Sequence, residues 1–283
     1  FASKQKQYKV DGLEFHILYE KAVMRDMKSM GENSDAFRMA YKVEWLLEVG
    51  MFMTEEALER LVLDKKRSMQ REVLPEDFMV AGLDIASARN DTVLTYGKVD
   101  DPATDFGEHP IKTVMGWLTL KTTNYEVQFQ SLVTTILEKN IKVLYADYTG
   151  VGRALTDMLM YHIGDIVEII PYTFTPSSKS DMWKALDEDT TNEKVKVPAS
   201  KTVRETEQFK EFSEQITNLQ KYWRGSYMVC EKTQGYADDY CDSFALFNMA
   251  GNHLYVSVQE MEVEANTLIN TRDRFNLRES SSW

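Results

Sequence analysis

The sequence predicts an α/β protein with a mixed five-stranded sheet, in which three antiparallel strands are followed by parallel βα units. Three observations support this fold class. The apolar pattern changes near residue 78 from helical to strand-like spacing. Three strand-like stretches then follow one another across polar turns, and after them helical and strand-like stretches alternate. We expect helices on the faces of the sheet and a helical segment before it.

The segment before the sheet, residues 1–75, is expected to be helical after a polar start. Apolar residues between 17 and 30 have helical spacing. Ser34 can cap a second helix, which Gly50 stops, and Thr54 can cap a third, EEALERLVLDKK.

The sheet itself is predicted from five strand-like stretches with two amphipathic helices between the later ones. The strands are Phe78–Ala86, Asp91–Val99, Thr113–Lys121, Lys142–Ala146 and Ile166–Ile170, and the helices are Asn124–Lys139 and Val151–His162. A helix capped by Ser178 or Ser180 follows, then a long helix, about Arg204–Tyr222, a strand Ser226–Val229, and a helix in YADDYCDSFALFNMA.

The composition is that of a globular protein with its own core. The chain has 283 residues, of which 43% are hydrophobic, and a net charge of −12. This charge disfavours a chain that coats nucleic acid non-specifically, but it is compatible with a local DNA groove. The two cysteines are too few for a disulfide framework and fit a reducing cytosol. The sequence shows neither a signal peptide nor a membrane span.

Asp84 lies inside the first of these stretches, FMVAGLDIA, in which seven of the nine residues are apolar. An ionised carboxylate in a buried strand is unfavourable unless a cation or strong donors compensate for lost hydration. Asp84 is therefore either a strand-end residue capping a turn toward Ser87, or a metal ligand held on a rigid strand.

Other carboxylates occupy positions that a mixed sheet brings together. Asp147 ends the apolar stretch KVLYA, and Asp238, Asp239 and Asp242 open the late helix. A group of carboxylates without histidine or thiolate selects Mg²⁺ or Mn²⁺ rather than zinc. Two such ions about 3.5–4 Å apart can activate a water and stabilise the leaving oxygen of a phosphodiester. Without cations, clustered carboxylates repel one another.

Each of these residues also has a purely structural interpretation. Asp147 can be a turn residue before Tyr148. Asp238 and Asp239 can interact with the dipole of the helix that they open. Asp242 lies one turn farther along, on the same face as Asp239. The metal-site hypothesis rests on their occurrence together with Asp84.

Three segments resemble a known family. GLDIASARNDTVLT, VLYADYTGVGRALTDML and GYADDYCDSFALF are similar to the pattern of the nuclease domain of bacteriophage large terminase subunits, whose fold is RNase H-like. The resemblance covers most of Phe78–Ala250. FRMAYKVEWLLEVGMF resembles the segment that joins the terminase ATPase domain to its nuclease, and FTPSSKSDMWKAL resembles a helix that carries a serine and a lysine after the fifth strand.

The resemblance implies a metal site and a DNA-facing residue. The implied catalytic metal ligands are Asp84, Asp147 and Asp239, with Asp242 or Asp238 assisting and Lys179 facing the DNA backbone. Ala237 departs from the family, which often has a histidine there, so a histidine-assisted site is not expected. No GxxxxGK[ST] motif is present, so the chain is not expected to be the packaging ATPase by itself.

The predicted organisation follows from these points. Residues 1–75 are expected to form a helical linker segment, and the resemblance implies that this segment is the end of a motor domain that lies upstream of Phe1. Residues 76–252 are expected to form the RNase H-like nuclease domain, and residues 253–283 a C-terminal tail. The expected setting is the cytoplasm of a bacterial host, with portal protein and small terminase subunit as implied partners and no membrane.

The leading hypothesis is a metal-dependent endonuclease that cuts concatemeric double-stranded DNA during viral genome packaging. Lys179, Arg89 and Arg204 could steer the strand. A second hypothesis is an RNase H-like junction resolvase or transposase, which should prefer four-way junctions to linear duplex. A third is a non-enzymatic acidic module that docks onto a portal or partner subunit, for which loss of Asp147 would leave all activity intact.

Overall fold

The computed structural model describes residues 21–28, 41, 50–62, 77–86, 91–100, 110–198 and 200–253. Most of the predicted helix after Ser34, the tail after residue 253, and Arg89 lie outside the described residues. Residues 21–28 form helix α1. Strand β1 (Gly50–Met51) and helix α2 (Glu55–Arg60) follow. The predicted cap of α2 is confirmed, because the side chain of Thr54 accepts a hydrogen bond from the backbone nitrogen of Ala57.

The centre of the described structure is a six-stranded mixed sheet. Its strands are β2 (Phe78–Asp84), β3 (Thr92–Asp100), β4 (Ile111–Leu120), β5 (Ile141–Asp147), β6 (Glu168–Tyr172) and β7 (Val195–Lys196). Their order across the sheet is β6-β5-β2-β3-β4-β7. Strands β2, β3 and β4 pair antiparallel, whereas β5 pairs parallel with β2 and β6 parallel with β5. The predicted fold class is confirmed, and the two-residue β7 adds a sixth strand, parallel to β4.

Helices cover both faces of this sheet. They are α3 (Tyr125–Glu138), α4 (Gly152–Ile163), α5 (Pro176–Thr191), α6 (Lys201–Arg204), α7 (Glu207–Thr217) and α8 (residues 239–253). The predicted cap of α5 is wrong. Thr175 is the N-cap, in a capping box with Ser178 at the third helical position, because Pro176 suits the first position of a helix and moves its start upstream.

The two faces have separate cores because strand side chains alternate. On one face, Ala81 and Leu83 of β2 pack with buried residues of α3 and α4 such as Leu132 and Leu159. On the other face, Val80 shares a core with residues of α5, α7 and α8, which include Trp183, Phe212 and Phe244. The central strand β2 is thus fixed from both sides.

A second, three-stranded antiparallel sheet has the order β1-β8-β9, with β8 at Leu219–Arg224 and β9 at Tyr227–Lys232. The prediction of a helix up to Tyr222 is therefore wrong beyond Thr217. Leu219 is buried and continues the helical spacing, so periodicity alone does not reveal the change. The hairpin turns at Gly225, whose φ of 64° is readily adopted by glycine.

The segment around α2 packs on the core beside the six-stranded sheet. Phe52, Met53, Leu58 and Leu61 are buried in the same cluster as Trp183. The domain boundary near residue 75 remains a prediction. None of the helices in the described ranges combines the length and the apolar character that crossing a membrane requires.

Candidate metal centre

Two predicted ligands lie at the ends of neighbouring parallel strands. Leu83 of β2 is in register with Ala146 of β5, so Asp84 and Asp147 follow at the same edge of the sheet. The backbone nitrogen of Thr149 donates to the carboxylate of Asp147 at 2.9 Å. Gly150, with a φ of 56°, helps the chain turn away from the strand into α4.

Helix α8 brings the other carboxylates to this edge. Asp238 precedes the helix, and its carbonyl accepts the backbone hydrogen bond of Asp242 at 2.9 Å. The helix is tied to β3 by a 2.7 Å hydrogen bond between the hydroxyls of Ser243 and Thr95. The backbone nitrogen of Asp91, just before β3, approaches the carboxylate of Asp239 at 3.4 Å. The start of α8 is therefore anchored beside the end of β2.

Four of these carboxylates are almost completely removed from solvent. The exposed fractions are 9% for Asp84, 5% for Asp147, 5% for Asp239 and 7% for Asp242. Asp238 is half-buried and accepts a hydrogen bond from Lys232 at 2.9 Å. The structure thus distinguishes the buried group of four from the more exposed Asp238.

The electrostatics of the buried group are unfavourable without a cation. Burial, and then repulsion from Asp242, Asp239 and Asp147, raise the pKa of Asp84 well above its ordinary value. Burial raises the pKa of Asp147, although hydrogen bonding from Thr149 partly offsets this effect. Such shifts mean that the folded protein disfavours the charged forms.

The pKa of Asp239 is raised for the same reasons. Burial, followed by the charge of Asp238, raises the pKa of Asp239 to about 6. The backbone hydrogen bond from Asp91 and the charge of Lys232 act in the opposite direction. Near neutral pH, Asp239 is therefore mostly ionised but readily protonated.

Lys179 lies among the carboxylates. Its ammonium donates to Oδ2 of Asp242 at 2.7 Å and lies 4.6 Å from the ring centre of Phe174. Burial lowers the pKa of Lys179, but the charge and hydrogen bond of Asp242 and the charge of Asp84 outweigh burial, so the net shift is upward. Burial raises the pKa of Asp242 despite Lys179. Sequence spacing gave no sign of this ion pair, because its members are 63 residues apart.

One oxygen of the site lacks a protein partner. Oδ1 of Asp242 is buried and has no hydrogen-bond partner in the described structure. A buried acceptor of this kind is costly unless something else satisfies it. Among the described residues, however, no three carboxylate, histidine or thiol groups already converge closely enough to hold a metal ion.

The predicted DNA-binding residues do not form one group. Lys179 is placed with the carboxylates, as described above. Arg204 forms an ion pair with Glu59 of α2, and its guanidinium lies over the ring of Phe209. Arg89 lies outside the described residues. The sequence did not single out Lys232, which pairs with Asp238 at the edge of the site.

Comparison with known proteins identifies the fold. No protein-family model matches the sequence, and no curated protein is significantly similar to it. The large terminase nuclease of thermophilic phage G20c with bound magnesium is 18% identical, with a TM-score of 0.51 over 71% of this chain and 98% of that chain.

Two further solved structures of large terminases are similar in fold to this chain. A mutant nuclease domain of the large terminase subunit of bacterial virus Sf6 with manganese is 10% identical, with a TM-score of 0.52 over 70% of this chain and 99% of that chain. The large terminase of bacteriophage HK97 is 12% identical, with a TM-score of 0.50 over 71% of this chain but only 43% of that chain. The architecture of this chain is therefore the RNase H-like fold of the nuclease domains of bacteriophage large terminases.

Proposed function

We propose that this chain is a metal-dependent endonuclease of a viral genome-packaging motor and cuts concatemeric double-stranded DNA. The observation that carries the proposal is the buried group of Asp84, Asp147, Asp239 and Asp242 at one edge of the sheet. These side chains come from β2, β5 and α8, which are distant in sequence. Burial of all four is unfavourable for folding alone, as the raised pKa values indicate.

The donor set fits hard divalent cations. All four groups offer carboxylate oxygens, which suit Mg²⁺ and Mn²⁺. The buried Oδ1 of Asp242, which has no partner in the described part of the chain, is one available ligand atom. Because the groups do not yet converge, binding requires their side chains to rotate toward a common point, and it requires Lys179 to share or release Asp242.

Divalent cations at such a site supply an activated water and stabilise the leaving oxygen of a phosphodiester. In the proposed mechanism the protein provides the frame. Strands β2 and β5 fix the backbone positions of Asp84 and Asp147, and α8 fixes those of Asp239 and Asp242. Lys179 limits repulsion among the carboxylates when cations are absent. Two cations are proposed, with Asp84, Asp147 and Asp239 as the shared catalytic ligands and Asp242 or Asp238 assisting.

The similar structures support the proposal of a divalent metal. The phage G20c nuclease carries magnesium and the Sf6 nuclease domain was solved with manganese. We propose double-stranded DNA as the substrate, a motor ATPase domain in the same protein, and portal protein and small terminase subunit as partners. The setting would then be the cytoplasm of an infected bacterium.

The direct test is cleavage of supercoiled plasmid with Mn²⁺, with Mg²⁺ and with EDTA. We expect nicking and linearisation in the presence of metal, and none in EDTA. Asp147→Asn should abolish cleavage while keeping the fold, because it removes a charged ligand but retains the shape of the side chain. The matched control is Asp181→Asn, whose side chain is 66% exposed on α5.

The result that contradicts the proposal is a folded Asp147→Asn protein with the wild-type cleavage rate. Such a result would favour the acidic docking module. Comparing four-way junctions with linear duplex separates the remaining alternative, since a resolvase should cut junctions preferentially and a packaging nuclease should not.

A further inference from the structure

A pocket of about 620 Å³ opens beside the carboxylate site. One wall is the hairpin of β8 and β9, and the other is the start of α5 with Phe174 just before it. Lys179 and Asp238 line the pocket and also belong to the edge of the carboxylate site. A ligand held in the pocket would therefore lie next to the proposed point of cleavage.

Both walls of the pocket are held in place by hydrogen bonds. The backbone nitrogen of Met228 in β9 donates to the hydroxyl of Ser180 in α5 at 2.9 Å. The backbone nitrogen of Phe174 donates to the hydroxyl of Thr149 at 2.9 Å, and Thr149 also donates to Asp147. The pocket is thus preformed, as binding sites for small ligands usually are, and one wall is connected to a predicted metal ligand.

The lining combines rings, an apolar floor and cations. Phe174 and Tyr227 provide aromatic side chains, and the side chain of Tyr227 is 42% exposed. Trp183 and Met228 are buried residues of the floor. The cationic lining residues are Lys179, Arg224 and Lys232.

We propose that this pocket binds a single unstacked nucleotide of a DNA strand, adjacent to the phosphate that is cut. The base would lie against Tyr227 and Phe174, and its phosphate would meet Arg224 or Lys232 at the rim. Aromatic rings beside a basic groove are the usual means of binding single strands without sequence preference. The proposal deepens the nuclease function and rests on it for the position of the scissile phosphate.

The alternative occupant, the backbone of an intact duplex, fits the lining less well. A duplex backbone presents phosphates and sugars, which gain little from an apolar floor. The pocket is also not uniformly basic, because Glu231 and Asp238 contribute negative charge. A paired base inside a duplex cannot enter such a pocket unless it leaves the stack. The chemistry therefore favours one unpaired nucleotide over a row of phosphates.

The test measures DNA binding in EDTA, so that cleavage plays no part. Fluorescently labelled oligothymidine and a duplex of the same length are titrated with the full chain, and binding is followed by anisotropy. We expect Tyr227→Ala to weaken single-strand binding about ten-fold, as loss of one stacking contact predicts, with little effect on the duplex. Tyr227→Phe should retain wild-type affinity because the ring is kept.

The matched control is Tyr161→Ala. Tyr161 is 85% exposed and lies on α4, which covers the opposite face of the sheet. Single-strand affinity should be unchanged in this variant. Circular dichroism and thermal unfolding of each variant show whether it is folded. If Tyr227→Ala is destabilised, Tyr227→Leu replaces it, since leucine keeps an apolar side chain but removes the ring.

Three outcomes overturn the pocket proposal: no binding of the single strand by the unchanged protein, wild-type single-strand affinity in folded Tyr227→Ala, and an equal loss for single strand and duplex. Plasmid cleavage by the unchanged protein is assayed separately. If cleavage fails while Tyr227→Ala selectively weakens single-strand binding, the pocket stands and the nuclease function does not. If the unchanged protein cleaves plasmid but its single-strand binding does not depend on Tyr227, the nuclease function stands and the pocket proposal is overturned.

Discussion

Gly82 of β2 lies directly against the backbone of Phe247 in α8. A Cβ atom at position 82 would approach the backbone of Phe247, Ser243 and Leu246 more closely than real Cβ atoms approach their neighbours. The missing side chain therefore allows α8 to rest on the central strand. This close packing brings Asp242 beside Asp84, since each lies near the point of contact.

Gly82→Ala should consequently damage both stability and the site. The new methyl group meets backbone atoms, which cannot move aside as a flexible side chain could, so we expect a loss of about 1–3 kcal/mol or more in the free energy of unfolding. Metal-dependent cleavage should fall with it. Denaturant unfolding measures the loss. Gly50→Ala is the control, because a Cβ atom there meets nothing within 4 Å; equal stability of the two variants would contradict the packing argument.

Asp84→Asn should stabilise the metal-free protein and inactivate it. Burial and three neighbouring carboxylates raise the pKa of Asp84, so replacing it with a neutral side chain of the same shape removes an unfavourable charge. We expect the melting temperature in EDTA to rise by about 2–4 °C. Added Mn²⁺ should stabilise the wild type but not this variant. A variant that is stabilised by Mn²⁺ as much as the wild type would exclude Asp84 as a ligand.

The sheet could be predicted from the sequence because its strands are short apolar runs separated by polar turns. The five predicted strands are present, with ends that differ by at most two residues. Strand β9 overlaps the predicted strand Ser226–Val229. Strand β8 was not predicted, because Leu219 continues the spacing of Ile216 and conceals the end of α7. Its pairing with β1 depends on contacts that are remote in sequence.

The candidate site was accessible to sequence reasoning for a different reason. A carboxylate such as Asp84 in an apolar strand is conspicuous, and strand ends and helix starts are places where side chains converge. The rotation of α8 about its axis decides which of its acidic residues is most buried. The ion pair of Lys179 with Asp242 depends on that rotation and on the packing of α5. Neither is encoded in local spacing.

The stability of the metal-free protein should depend on Asp239 between about pH 4 and about pH 6. The folded-state pKa of Asp239, about 6, lies above its ordinary value of 3.8. A raised carboxyl pKa contributes stability that is fully present below the unfolded-state pKa and is lost as the pH rises through the folded-state pKa. The melting temperature in EDTA should therefore fall as the pH rises through this range, and Asp239→Asn should reduce the slope.

The control for this pH dependence is Asp181→Asn, since Asp181 is largely exposed. Its slope should match that of the wild type. Because Asp84 and Asp242 also have raised pKa values, part of the slope should remain in Asp239→Asn. An unchanged slope in Asp239→Asn would show that this carboxyl does not titrate as the structure indicates.

The far end of α8 is held by a buried ion pair. Lys112 of β4 is fully buried and donates to Asp189 of α5 at 2.9 Å. Asn248 and Asn252, one turn apart on α8, donate to the same carboxylate oxygen at 2.8 and 2.7 Å. Burial lowers the pKa of Lys112, and Asp189 partly offsets that shift. The network joins β4, α5 and α8 at the opposite end of α8 from Asp239 and Asp242.

Lys112→Met should destabilise the protein strongly, by about 3–5 kcal/mol, because it leaves the carboxylate of Asp189 buried without its cation. Adding Asp189→Asn should recover much of this loss, since the site becomes neutral and the asparagine oxygen can still accept hydrogen bonds. Denaturant unfolding of the single and double variants gives the coupling free energy between Lys112 and Asp189. Lys98→Met is the comparison, because its partner Asp100 is 37% exposed and the expected loss is about 1 kcal/mol or less. Additive losses in the double variant, or equal losses for Lys112→Met and Lys98→Met, would mean that the buried pair does not hold α8 in the way its geometry indicates.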